Sequence, residues 1–127
     1  MTKTREEKTP QELPKGLWEG ASLRILLAED NQGSVLYTKT VLEAMGHQVC
    51  VVGNGRAALD ELEIDDYDLV FMDILMPEMN GDDALSIIRA QEQQQNKPHQ
   101  AVIALTAYAL KGDKDKFLDM GFDGYIS

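Results

Sequence analysis

Five short apolar runs of strand length alternate with four segments of helical length, and this alternation constrains the fold more than any other feature. The strand candidates are residues 23–28, 47–52, 68–72, 101–105 and 122–126. The helix candidates are residues 34–45, 55–64, 82–94 and 110–120. Because every connection between successive strands is long enough for a right-handed crossover, we expect a parallel sheet with helices on both faces. The predicted fold is a doubly wound α/β domain.

The length of 127 residues fits one domain. Residues 1–22 are polar, contain Pro10 and Pro14, and show no strand or helix period, so we interpret them as a flexible tail or linker. The predicted domain occupies residues 23–127.

The net charge and the lengths of the apolar runs argue against binding to nucleic acid and against a membrane span. The chain has 12 Lys and Arg residues against 22 Asp and Glu residues, a net charge of −10, which should repel nucleic acid. No apolar run approaches the roughly 20 residues of a membrane helix, and no secretory leader opens the sequence. We therefore expect a cytoplasmic domain that contacts neither nucleic acid nor membrane.

Acidic residues follow two of the predicted strands. Glu29 and Asp30 end the first strand, and Asp73 ends the third. A strand order of 2-1-3-4-5 would make these strands neighbours and bring the three carboxylates within a few ångströms. Such a cluster suits Mg²⁺, and the carbonyl of Leu75 could add a backbone oxygen ligand. Alternatively, Asp30 or Asn31 caps the first helix.

A carboxylate beside a cation can attack phosphorus as a nucleophile, and Asp73 is the candidate. Thr106, at the end of the fourth strand, would donate its hydroxyl to a phosphoryl oxygen. The two histidines, His47 and His99, have no evident partner in the sequence, and we expect His47 to be partly exposed rather than catalytic.

Four motifs resemble the receiver domain of two-component response regulators, and most closely the receiver modules of hybrid sensor histidine kinases. The motifs occupy residues 25–31 (ILLAEDN), 68–81 (DLVFMDILMPEMNG), 103–107 (IALTA) and 121–126 (GFDGYI). The resemblance covers residues 23–127 and implies a five-stranded, flavodoxin-like fold. It also implies that a histidine kinase, or its phosphohistidine domain, phosphorylates Asp73.

The same resemblance assigns roles to the other site residues. Mg²⁺ would be held by Glu29, Asp30, Asp73 and the carbonyl of Leu75. Thr106 would be the switch hydroxyl and Tyr125 the aromatic that rotates inward with it. Leu75, Ala107 and Tyr108 would flank the phosphoryl group. An output or phosphotransfer partner would then bind the altered face.

In the family a Lys-Pro pair and a fifth helix follow the fifth strand, and the lysine pairs with the phosphoryl group. This sequence ends at Ser127, before that position, so we expect a domain that lacks its last helix and is truncated at the end of the fifth strand.

The resemblance implies a domain that catalyses its own phosphorylation and dephosphorylation rather than a conventional enzyme. One alternative is an interaction module that works without phosphorylation. A weaker alternative is a Mg²⁺-dependent phosphatase of the haloacid-dehalogenase type, whose Asp-x-Asp signature after the first strand is absent here.

Overall fold

The computed structural model describes residues 22–106 and 113–126. The predicted tail up to residue 21, the candidates Ala107 and Tyr108, and the start of the fourth helix candidate lie outside the described residues. Within the described ranges, no helix has the length and apolar character needed to cross a membrane.

Strands and helices alternate along the described residues as the sequence pattern predicts. The strands are β1 (Arg24–Ala28), β2 (Gln48–Val52), β3 (Leu69–Asp73), β4 (Val102–Leu105) and β5 (Gly124–Ile126). The helices are α1 (Gln32–Ala44), α2 (Gly55–Ile64), α3 (Gly81–Gln94) and α4 (Asp113–Met120).

The five strands form one parallel sheet in the order β2-β1-β3-β4-β5. Ala28 at the end of β1 pairs with Met72 of β3, and Asp73 pairs with Leu105 of β4. The predicted fold class and strand order are therefore confirmed. This register puts the residues that follow β1, β3 and β4 at one edge of the sheet, where parallel strands of this fold class expose their binding crevice.

Alternation along β1 divides the core into two layers. Leu26 and Ala28 are fully buried in the layer that also contains side chains of α2, α3 and α4. Ile25 and Leu27 are fully buried in the other layer, which contains Leu42 of α1. Burial of a side chain of this size contributes roughly 1.5–3 kcal/mol, so β1 anchors both layers.

The fifth strand begins at Gly124, two residues later than the start of the predicted strand at Phe122. The amide of Phe122 donates instead to the carbonyl of Phe117 (3.1 Å), and Gly121 takes a positive φ of 109°. Glycine tolerates this left-handed conformation, which commonly ends a helix. The end of α4 therefore uses backbone groups that the sequence pattern assigned to the strand.

An ion-pair network fixes the start of β4 and β5 against α3. The guanidinium of Arg89 donates to the carbonyls of Gly121 (3.0 Å) and Gln100 (2.7 Å) and to the carboxylate of Asp123 (2.9 Å). Asp123 also accepts from the amide of Val102 at 2.9 Å. These bonds hold the entry to β5 two residues before Tyr125.

The expectation that His47 is partly exposed is wrong, because only 5% of its surface is accessible. Its Nδ1 accepts a hydrogen bond from the amide of Leu23 at 3.1 Å. The ring therefore joins the α1–β2 turn to the residue before β1. This long-range contact cannot be predicted from the local sequence pattern.

The first residue of α3, Gly81, lies directly against the backbone of Asp73. A Cβ atom at position 81 would collide with the Asp73 carbonyl oxygen and approach Cγ of Met72 to 2.7 Å. The amide of Gly81 also donates to the carbonyl of Ile74 at 2.8 Å. This close approach sets the position of α3 relative to the end of β3.

We expect Gly81→Ala to lower the free energy of unfolding by about 1–3 kcal/mol, because the added methyl group forces the Asp73 backbone to move. The control is Gly53→Ala, where an added Cβ meets nothing within 4 Å. Urea unfolding of both variants measures the difference. Equal stabilities for the two variants would contradict the packing argument.

Candidate functional site

Three carboxylates meet at the carboxyl-terminal edge of the sheet. Oxygen atoms of Glu29, Asp30 and Asp73 all lie within 4.8 Å of one another. The pairing of β1 with β3 causes this convergence, because the residues after Ala28 and Met72 emerge side by side. The proximity inferred from the sequence is thus present in the structure.

The backbone holds Glu29 in place at this edge. Its amide continues the β1–β2 ladder by donating to the carbonyl of Val52 at 3.0 Å. Its side chain is 9% exposed, and Oε2 accepts from the amide of Asn31 at 3.0 Å. Glu29 is therefore a fixed, largely buried carboxylate, whereas Asp30 beside it is exposed.

The N-cap of α1 is supplied by Asn31, whose side chain accepts from the amide of Ser34 at 2.9 Å. This contact decides between the two residues that the sequence offered as a cap. The capping role belongs to Asn31 and does not require the carboxylate of Asp30.

The surroundings of Glu29 perturb its ionisation. The pKa of Glu29 is raised to about 7, chiefly by burial and also by the neighbouring carboxylates of Asp73 and Asp30, while the hydrogen bond from the amide of Asn31 opposes the rise. A proton or a nearby cation would stabilise a carboxyl group in this environment, because either one offsets its negative charge.

The donor set fits a hard divalent cation. Two oxygens bound to one Mg²⁺ at about 2.1 Å lie about 3–4 Å apart, so small side-chain movements suffice to bring these carboxylates into one coordination shell. Mg²⁺ prefers oxygen ligands and retains several waters, which suits an edge with one buried and one exposed acid. Glu29, Asp30 and Asp73 are therefore able to share such an ion.

The loop between β3 and α3, residues 74–80, follows Asp73 directly. The side chain of Leu75 is 69% exposed, whereas Met76 beside it is buried. The amide of Gly55, at the start of α2, donates to the carbonyl of Met79 at 2.9 Å. The sequence reasoning missed Gly55 because this contact joins two loops that are distant in the chain.

The remaining site candidates lie on β4 and β5. Thr106 is half-buried immediately after β4, and its amide donates to the carbonyl of Ile126 at 3.0 Å. Tyr125 is half-buried on β5, with its ring centroid 5.4 Å from that of Phe117. Thr106 therefore joins the end of β4 to the strand that carries Tyr125.

The sequence matches the response regulator receiver domain family over residues 25–127, and the chain belongs to this family. It is 38% identical over 104 residues to the sensor protein GacS of Pseudomonas syringae pv. syringae. That alignment covers 82% of this chain but only 12% of GacS, so the chain spans a small part of that relative.

The chain is also similar to solved structures of receiver domains. The receiver domain of the sensor histidine kinase PA1611 from Pseudomonas aeruginosa, solved with a magnesium ion in its active-site cleft, is 36% identical, with a TM-score of 0.70 and coverage of 84% and 85% of the two chains. The receiver domain of Saccharomyces cerevisiae Ssk1, solved with the histidine phosphotransfer protein Ypd1, is 27% identical with a TM-score of 0.73, covering 83% of this chain and 77% of that one.

We expect the metal-free protein to be destabilised by Glu29 as the pH rises from 4.5, its ordinary pKa, to about 7. In this window the folded state keeps a proton on Glu29 that the unfolded chain has released, so raising the pH removes a favourable protonation. Urea unfolding in chelator at a series of pH values measures the slope, and Glu29→Gln should lack this part of it.

Asp65 provides the control for this pH effect. A hydrogen bond from Arg24 lowers the pKa of Asp65 to about 2, so its contribution to stability is lost only as the pH falls below 3.8. Asp65→Asn should therefore leave the slope above pH 4.5 unchanged. Identical slopes for wild type and Glu29→Gln would refute the assignment.

Proposed function

We propose that this domain accepts a phosphoryl group from a phosphohistidine onto Asp73 in a Mg²⁺-dependent reaction and then alters the face that its partners bind. The observation that carries the proposal is the meeting of Glu29, Asp30 and Asp73 within 4.8 Å at the sheet edge. Membership of the receiver family and the magnesium reported for the PA1611 receiver support it.

The transfer is a displacement at phosphorus. An oxygen of Asp73 attacks the phosphorus, the phosphorus–nitrogen bond of the phosphohistidine breaks, and the electron pair returns to the imidazole. When bound by the three carboxylates and the Leu75 carbonyl, Mg²⁺ supplies positive charge that offsets the charge of the phosphoryl oxygens. The product is an acyl phosphate on Asp73.

Thr106 and Tyr125 are proposed to convert the added charge into a change of shape. The Thr106 hydroxyl would donate a hydrogen bond to a phosphoryl oxygen. Because the Thr106 amide donates to the carbonyl of Ile126, movement of Thr106 would also displace β5. Tyr125, one residue earlier on β5, would follow by repacking against Phe117. A partner that binds the altered conformation more tightly would then respond to the increased population of that conformation.

The donor is proposed to be a histidine kinase or a phosphotransfer protein in the cytoplasm. The yeast complex of a receiver with a phosphotransfer protein supports this class of partner. Helix α1 and its C-cap offer a surface for it, because Leu36, Tyr37 and Val41 of the helix and Met45 at the cap are all exposed. Leu36 also lines an open pocket together with Glu29 and Asp30, so this apolar surface is continuous with the acidic site.

Incubation with acetyl phosphate and Mg²⁺ should add one phosphoryl group, measured by intact-protein mass spectrometry. Asp73→Asn should abolish the adduct, because the nucleophilic oxygen is removed, and chelation of Mg²⁺ should suppress it. Glu78→Gln is the matched control, since it removes an exposed carboxylate from the same loop and should be labelled normally. A wild-type protein that forms no adduct would favour the phosphorylation-independent alternative.

The surface of α1 is tested by the double variant Tyr37→Glu, Val41→Glu. We expect transfer from a phosphorylated histidine phosphotransfer protein to fall by about tenfold or more, because truncated or charged anchor residues commonly cost 2 kcal/mol or more. Labelling by acetyl phosphate should be unchanged. The control is Ile64→Glu, which places the same charge on an exposed apolar residue at the end of α2. Equal losses with both donors, or an equal loss in the control, would argue against docking on α1.

A further inference from the structure

An asparagine occupies the N-cap position of α1, α2 and α3, and one of the three behaves differently. Asn31 accepts from the amide of Ser34 at 2.9 Å and Asn54 from the amide of Ala57 at 2.8 Å, as capping residues do. Asn80, at the start of α3, makes no side-chain capping bond. Its side chain is therefore used for something other than the helix that it precedes.

The Oδ1 atom of Asn80 accepts a hydrogen bond from the amide of Met76 at 3.0 Å. That amide belongs to the peptide bond between Leu75 and Met76, which is planar and trans. In a trans peptide the N–H and C=O groups point in opposite directions. A bond that fixes the Met76 N–H therefore also fixes the direction of the Leu75 carbonyl.

Two backbone contacts hold this loop on either side of the same peptide. The amide of Gly81 donates to the carbonyl of Ile74 at 2.8 Å, and the amide of Gly55 donates to the carbonyl of Met79 at 2.9 Å. The side chain of Leu75 is largely exposed and offers little anchorage. The Asn80 side chain, together with the buried side chain of Met76, consequently restrains the rotation of the peptide between residues 75 and 76.

We propose that Asn80 is a positioning residue that aims the Leu75 carbonyl at the cation site formed with Glu29, Asp30 and Asp73. This inference rests on the proposed Mg²⁺-dependent function and adds the residue that orients its backbone ligand. Partners that orient a metal ligand commonly contribute 10- to 100-fold to metal affinity.

The test compares Asn80→Ala with Asn80→Asp, which keeps an acceptor oxygen at the same position. In the metal-free protein, hydrogen exchange of the Met76 amide should be faster in Asn80→Ala than in wild type and slow again in Asn80→Asp. Mg²⁺ affinity by calorimetry should fall about tenfold in Asn80→Ala and be preserved or tighter in Asn80→Asp. The carbonyl ¹³C shift of Leu75 on Mg²⁺ addition should shrink only in Asn80→Ala.

Tyr67→Phe is the control for a general loss of stability. It removes the hydrogen bond from the Tyr67 hydroxyl to Glu61 at 2.6 Å, away from the acidic cluster, and should leave Mg²⁺ affinity unchanged. Wild-type affinity in Asn80→Ala, or unchanged Met76 exchange, would overturn the positioning role alone. Absence of Mg²⁺ binding by the wild-type protein would overturn the proposed function together with this inference.

Discussion

The repulsion among three carboxylates is the constraint around which the rest of the structure is arranged. Like charges about 4 Å apart repel by roughly 4 kcal/mol at an effective dielectric constant near 20, several times the 1.4 kcal/mol of one pKa unit. The pKa of Glu29 is raised chiefly by its burial, and the neighbouring carboxylates of Asp73 and Asp30 add to the rise. The pairing of β1 with β3 keeps the backbone positions of the acids close together despite this repulsion.

Much of this arrangement could be predicted from the sequence, because it depends on periodicity and on strand ends. Once the alternation of strands and helices indicates a doubly wound sheet, the position of Asp73 relative to Glu29 follows from the neighbouring strands. The burial of His47 could not be predicted in this way, since it depends on a contact with Leu23 across the fold. The late start of β5 likewise depends on how Gly121 ends α4, a local competition for backbone hydrogen bonds.

The two ends of β4 and β5 are held by different kinds of contact. At the start of these strands, the guanidinium of Arg89 donates charge-assisted hydrogen bonds to the carboxylate of Asp123 and to two backbone carbonyls. At the other end, Thr106 is bonded to Ile126 through its amide. The Arg89 end is thus held by charge-assisted side-chain hydrogen bonds as well as by the pairing of β4 with β5.

Several local structural rules are broken around Asp73. Glu29 is a buried acid, Glu78 adopts a positive φ of 63°, and Asn80 gives up a helix cap that is typically worth about 1 kcal/mol. The acids Asp82 and Asp83 in the first turn of α3 partly compensate, since negative charge is favourable at a helix start. Such costs persist where the surrounding structure fixes them, and they concentrate at functional sites. The conformation of the loop after β3 is thus set by its packing around Asp73 rather than by the local preferences of its residues.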